Sequence, residues 1–256
     1  SWLIVHKGDY RNARDILAIS DPEGVDEAVR SIQQDIQAEK SRASLRSFLS
    51  KKYRKPVFMA VLIAMFNQLS GINAIIYFAP RVFELAGLGK NAAFLQSAGV
   101  GLVNLIATLV GLYLIDRLGR RKLMLIGSLG YILSLGAIAA AFFYHFQNVL
   151  VMPTLVFIFI ASHAIGQGSV IWVFISEIFP NEVRSYGQSI GSGTHWIMAA
   201  LVTGIFPFVA ASPAIGPGKI FLFFMCMMVI QLLWVLFKLP ETKGQSLEKL
   251  GHQVIH

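Results

Sequence analysis

A chain of 256 residues that is 55% hydrophobic and only 14% charged, with a mean hydropathy of +0.61, is not an ordinary soluble domain, which needs more charge to stay dispersed. The net charge of +8 does not make a nucleic-acid surface, because the basic residues sit in short segments between apolar stretches and not on one continuous face. A lone Cys226 in an apolar run excludes an internal disulfide and a cysteine metal cluster, and reads as a core-filling residue.

The first 55 residues are polar and charged, with Val25, Ala28, Val29, Ile32 and Ile36 at helical spacing. Asp21-Pro22-Glu23 supplies a helix start, and Ser44 is placed to cap a short helix carrying Leu45, Phe48 and Leu49. The chain opens on Ser1 without a basic-then-apolar leader, which reads as a cut inside a longer polypeptide. The expectation is a helical linker over 1–55, a membrane bundle over 56–239 and a tail over 240–256.

Six apolar spans follow, at roughly Pro56–Phe78, Ala92–Ile115, Leu123–Tyr144, Pro153–Phe179, Gly187–Ala210 and Ile220–Leu239. Each is long enough to cross a bilayer as a helix, for which about 20 residues suffice. The expected fold class is therefore an all-α membrane protein with a six-helix bundle, both chain ends lying on one side. The segments on that side hold 19 of the 22 Lys and Arg residues, leaving only Arg81, Lys90 and Lys219 on the other. By the positive-inside rule the linker and the tail are cytoplasmic, and the protein is a multi-pass component of the cell membrane.

Glycine breaks inside a span are informative, because lipid tolerates unpaired backbone only where protein or a water-filled cavity surrounds it. One falls at Ser70-Gly71 in the first span and another at Gly166-Gln167-Gly168-Ser169 in the fourth. These spans open two successive three-helix sets, the positions at which interrupted helices of an inverted repeat bracket a midplane site. Gly187 and Gly191, one turn apart on the fifth span, read as a close packing face. The polar side chains expected at mid-membrane are Asn67, Gln68, Asn73, Asn104, Trp172, His195 and Trp196. Taken singly, a membrane Asn or Gln is more often a bond between helices than a ligand contact. No H-E-x-x-H, G-x-S-x-G, phosphate-binding glycine loop or paired cysteine occurs, so no enzyme, cofactor or metal chemistry is expected.

Gln68-Leu69-Ser70-Gly71-Ile72-Asn73 followed by Tyr77-Phe78-Ala79-Pro80 resembles the seventh helix of the sugar porters of the major facilitator superfamily. Asp116-Arg117-Leu118-Gly119-Arg120-Arg121-Lys122 is similar to that family's D-R-x-G-R-R loop. Ser176-Glu177-Ile178-Phe179-Pro180 with Arg184 resembles its junction of helices 10 and 11, and Pro240-Glu241-Thr242-Lys243-Gly244 its P-E-T-K-G element. These elements run in family order over nearly the whole chain. The resemblance implies helices 7 to 12 of a transporter, a missing N-terminal six-helix half in the same polypeptide, and a monosaccharide, hexose or pentose, as substrate. Protons are a candidate second partner, since an acid in the other half would make a symporter.

On that resemblance, Asn67, Gln68, Asn73, Asn104, Trp172, His195 and Trp196 become sugar contacts. The chemistry suits them, because a sugar presents hydroxyls for amides and indoles and a C–H edge for an aromatic face. Asn67 replaces the first residue of the family's Gln-Gln pair and is one methylene shorter. The stretch Gly166–Trp172 holds no proline, where the family's tenth helix often carries them ahead of the tryptophan, so glycines must supply any flexibility there. His195 stands where the family generally places an amide, which makes it a candidate for setting which hydroxyl is read and for making affinity pH-dependent. Tyr77 and Phe78 become an extracellular gate, or else belong to an interfacial aromatic belt. Asp116, Arg117, Arg120, Arg121, Glu177 and Arg184 become a cytoplasmic charge network that holds the inner side shut. A sugar sensor on the same fold, and a channel, are the competing classes; saturable uptake excludes a channel and counterflow excludes a sensor.

Overall fold

The computed structural model describes residue 12, residues 45–146 and residues 150–244. The helical patterns expected within 21–36 and the tail beyond 244 lie outside the described residues. Among the described residues the chain is helical, in ten α-helices with one short 3-10 turn and one π segment. Helix α1 (Leu45–Phe48) and the 3-10 turn Lys51–Tyr53 lead into α2 (Arg54–Leu69), α3 (Ile72–Tyr77) and α4 (Ala79–Leu85). Then come α5 (Lys90–Leu118), α6 (Arg120–Phe143) and α7 (Val151–His163). The π segment Ala164–Gly168 joins α7 to α8 (Ser169–Glu177), and α9 (Arg184–Ala211) and α10 (Gly216–Lys238) complete the bundle.

Six helical stretches are long and apolar enough to cross a membrane: Lys51–Tyr77, Lys90–Leu118, Arg120–Phe143, Val151–Glu177, Arg184–Ala211 and Gly216–Lys238. They fall within a few residues of the spans expected from hydropathy. The bundle has two apolar cores. Ile75, Phe83, Tyr131, Phe159 and Phe221 fill the core away from the Arg120 end. Ile63, Leu123, Phe174, Phe179 and Val235 fill the core near it. Phe48 of α1 is buried at the Arg120 end, stacked on Tyr53 and Tyr186 with centroids 6.2 and 5.5 Å away. The helix expected from Leu45 and Phe48 thus plugs that end of the bundle.

The first span breaks where expected. Gly71 sits at φ +82°, a conformation strained for any residue with a Cβ, and a Cβ there would lie 2.4 Å from the Phe224 ring. The fourth span departs from expectation. It is not interrupted at Gly166-Gln167-Gly168; the backbone widens instead into the π segment, and the helix runs on. Within the span Ser169 Oγ donates to the carbonyl of Ala164 at 2.6 Å, a side-chain bond added to the backbone ones. Close approach explains the glycines here: a Cβ on Gly166 would lie 2.8 Å from Gly127 Cα of α6. Gly187 and Gly191 likewise let α9 settle against Phe179 and Ile175.

Candidate functional site

The end of α2 and the turn after it carry three amides in series. Asn73 Nδ2 donates to Gln68 Oε1 at 3.0 Å, and Gln68 Nε2 donates to Asn67 Oδ1 at 3.0 Å. Gln68 Nε2 also lies 3.2 Å from His195 Nε2 and 3.3 Å from His195 Nδ1, on α9. Two indoles flank that imidazole. Trp172 of α8 stands 5.0 Å from the His195 ring at 58°, and Trp196 stands 5.2 Å away at 84°, edge to face. The break at Gly71 is what makes the series possible, since it turns Asn73 back onto Gln68. Asn67 and Gln68 are buried, yet each has its bonds inside the series.

All seven residues expected at mid-membrane line one cavity of about 320 Å³, Asn104 joining them from α5. Thr108 and His163 line it too, and neither was anticipated from sequence. His163 sits at the last position of α7 in an apolar run with no motif around it, so no local signal marks it. A larger groove of about 520 Å³ between α9 and α10 is lined by aliphatic and aromatic side chains. Its one polar side chain, Lys219, donates to Ala214 O at 2.7 Å, so it offers little to a polyhydroxylated ligand.

Tyr77 and Phe78 are not among the cavity's lining residues. Tyr77 is exposed, and Phe78 stacks on Phe206 of α9 with centroids 5.6 Å apart. The backbone bends at Phe78, between α3 and α4.

At the other end, Arg120 is the hub of the charge set. Its Nη2 and Nε donate to Glu177 at 2.7 and 3.1 Å, its Nη1 to Asp116 Oδ1 at 3.2 Å and to the carbonyl of Ile115 at 3.1 Å. The Arg120 side chain is only 10% exposed, whereas that of Asp116 is 79% exposed, so the Glu177 pair is the desolvated and stronger one. The other three expected members do not join it. Arg117 lies over the Tyr113 ring at 4.1 Å, Arg121 Nη2 donates to the carbonyl of Leu236 at 2.6 Å, and Arg184 has buried Nε and Nη2 atoms without a hydrogen-bond partner among the described residues.

Two further members come from the P-E-T-K-G element. Glu241 accepts from the backbone N–H groups of Arg120 and Arg121 at 2.9 and 3.1 Å, and Thr242 Oγ1 donates to Glu177 Oε2 at 2.5 Å. Helix α6 has no acidic residue in its first turn and no capping side chain of its own, so its orphan N–H groups and positive dipole end are met by this distant carboxylate. That missing cap was the one sequence signal that a carboxylate must come from elsewhere.

Six helices long and apolar enough to cross a membrane, with a polar, aromatic-flanked cavity between them, make this a multi-pass α-helical membrane protein. The family model described as sugar (and other) transporter matches residues 1–253, and the chain belongs to that family. It is 32% identical over 228 residues to the arabinose-proton symporter of Bacillus subtilis (strain 168), which spans 88% of this chain and 48% of the symporter. It is 32% identical over 256 residues to the glucose facilitated diffusion protein of Zymomonas mobilis, covering 97% of this chain and 53% of that protein. Among solved structures, the proton:xylose symporter XylE of the major facilitator superfamily, bound to 6-bromo-6-deoxy-D-glucose, superposes with a TM-score of 0.77 at 28% identity. That match covers 98% of this chain and 53% of the symporter. The chain spans about half the length of the curated relatives it matches.

Proposed function

We propose that this chain is one six-helix half of a monosaccharide carrier that works by alternating access. The observation that carries the reading is the convergence of Asn67, Gln68, Asn73, Asn104, Trp172, His195 and Trp196, from four different spans, on one cavity. Amides alternate donors and acceptors as sugar hydroxyls do, and exposed indole faces suit the ring's C–H edge. The volume of about 320 Å³ sits at the small end of ligand sites, roughly 300–1,000 Å³. Spans Lys90–Leu118 and Arg184–Ala211 are the least buried of the six. Both supply cavity residues, which supports a second bundle facing them across a shared midplane site.

In this reading the basic end is cytoplasmic. The Arg120–Glu177 pair, tied to the tail by Thr242, closes the inner side, and Glu241 of the same tail caps α6. Tyr77 and Phe78 close the outer side by bending at Phe78. The relatives include both a proton symporter and a facilitated diffusion protein, and an acid on the other half would decide between them. The test is equilibrium binding of D-xylose, D-glucose and L-arabinose to the full-length polypeptide carrying this chain. Saturable binding of one of them, lost in Gln68→Ala, supports the reading; binding of none refutes it.

A further inference from the structure

Behind the cavity a run of buried polar groups crosses from α10 to α7, and no part of the transport cycle above uses it. Gln231 of α10 is fully buried, as are Ser128 and Tyr131 of α6, and Gln167 lies in the π segment with almost no exposure. Ser128 Oγ donates to the carbonyl of Met124 at 2.7 Å. Gln231 Nε2 donates to Ser128 Oγ at 2.9 Å, Gln167 Nε2 donates to Gln231 Oε1, and Tyr131 Oη donates to Gln167 Oε1 at 3.3 Å. Tyr131 Oη finally lies 2.5 Å from His163 Nδ1.

From Ser128 to Gln167 the direction of each bond follows from the anchor. A backbone carbonyl only accepts, so the single hydroxyl proton of Ser128 goes to Met124. Ser128 can then only accept from Gln231, which must present its amide nitrogen and turn its oxygen to Gln167. Gln167 in turn presents nitrogen to Gln231 and oxygen to Tyr131. Reversing either amide would set oxygen against oxygen or nitrogen against nitrogen among fully buried side chains. Tyr131 Oη meets Gln167 Oε1 at 3.3 Å and His163 Nδ1 at 2.5 Å, and its one phenolic proton, given to Gln167, leaves only a lone pair for His163. In that arrangement His163 Nδ1 carries the proton, and in the neutral ring Nε2 is then a bare acceptor. The Nε2 and Cδ2 edge packs over Gly168, where a Cβ would come within 3.3 Å, and Gly168 and His163 both line the cavity. No hydrogen bond to Nε2 forms among the described residues.

We propose that His163 Nε2 accepts a hydrogen bond from one hydroxyl of the bound sugar, and that Tyr131 is the positioning residue that fixes the accepting tautomer. The proposal rests on the sugar-site reading and adds a specificity contact to it: at one position the cavity demands a group that donates, so a hydroxyl is taken and a fluorine is refused.

Two measurements on the full-length polypeptide test it. First, binding of D-glucose, D-xylose and L-arabinose is measured, then binding of the monodeoxyfluoro analogues of whichever sugar binds. Wild type is expected to lose at least about fivefold at one fluorinated position, the lower end of the cost of an unmade bond in a desolvated site. His163→Phe is expected to weaken the parent sugar similarly and to show no further loss at that position, with losses elsewhere retained. A His163→Phe protein that binds sugar with the wild-type discrimination at every position overturns the proposal and leaves the sugar site standing. Binding of no sugar by wild type brings down both. Second, nitrogen NMR of the histidine-labelled protein reports the tautomer directly and needs no tolerated variant. A proton on His163 Nδ1 is expected in wild type, with that fixed assignment lost in Tyr131→Phe; a proton on Nε2 in wild type overturns the proposal.

Discussion

His195 joins the amides of the candidate site to its indoles, meeting Gln68, Trp172 and Trp196 at once. Removing a hydrogen-bonding partner from a desolvated site costs about 1–3 kcal/mol. His195→Ala in the full-length protein is therefore expected to weaken sugar binding at least about fivefold with normal expression, measured at equilibrium on purified protein. Unchanged affinity, beside a strong loss in Gln68→Ala, would place His195 outside the binding surface. A protonated ring has no lone pair for the Gln68 amide N–H, so affinity is expected to fall as pH is lowered, and to fall less in His195→Ala. Gly119 is constrained twice, by φ +87° and by Glu241 Oε2 lying 2.6 Å from any added Cβ. Gly119→Ala is expected to cost about 1–3 kcal/mol, seen as a lower unfolding temperature. These residues were legible to different degrees. The amides and indoles stood out because polar groups in an apolar run are conspicuous; His163 and Gln231 are equally polar, but which face of a helix they occupy depends on packing that a single sequence does not display.

At the scale of elements, the spans were readable to within about five residues because hydropathy sets them, and the break at Gly71 because glycine accepts that φ without strain. The fourth span was misjudged. Glycines there were expected to interrupt the helix, but the chain widens into a π segment and runs on, with Gly166 set close against Gly127. The charge set shows the same limit. Asp116, Arg120 and Glu177 do meet, whereas Arg117 and Arg121 find an aromatic ring and a carbonyl closer at hand. Glu241 escaped notice as a site residue because its partners are backbone N–H groups more than a hundred positions away. Glu241→Ala leaves the first turn of α6 uncapped, with an expected loss of about 0.5–2 kcal/mol by thermal unfolding. No change would mean water caps the helix as well. Glu177→Gln removes the charge that Arg120 holds, and in the full-length protein it is expected to shift spin-label distances toward inward-facing states. An unaltered distribution would reduce the pair to a structural contact.

For the whole molecule, the account makes this chain a rigid half whose cavity is completed by a second bundle. Rocking of two bundles about one site needs both, so vesicles holding only these residues should insert the protein and accumulate no sugar. One feature of the chain itself supports the division: its two least buried spans are ones that line the cavity. The most direct measurement is time-resolved uptake of radiolabelled D-xylose, D-glucose or L-arabinose into vesicles containing the full-length polypeptide. The account predicts uptake of at least one sugar that saturates with concentration, shows counterflow, and disappears in Gln68→Ala. Uptake that rises linearly without saturation, or sugar binding without counterflow, would contradict it.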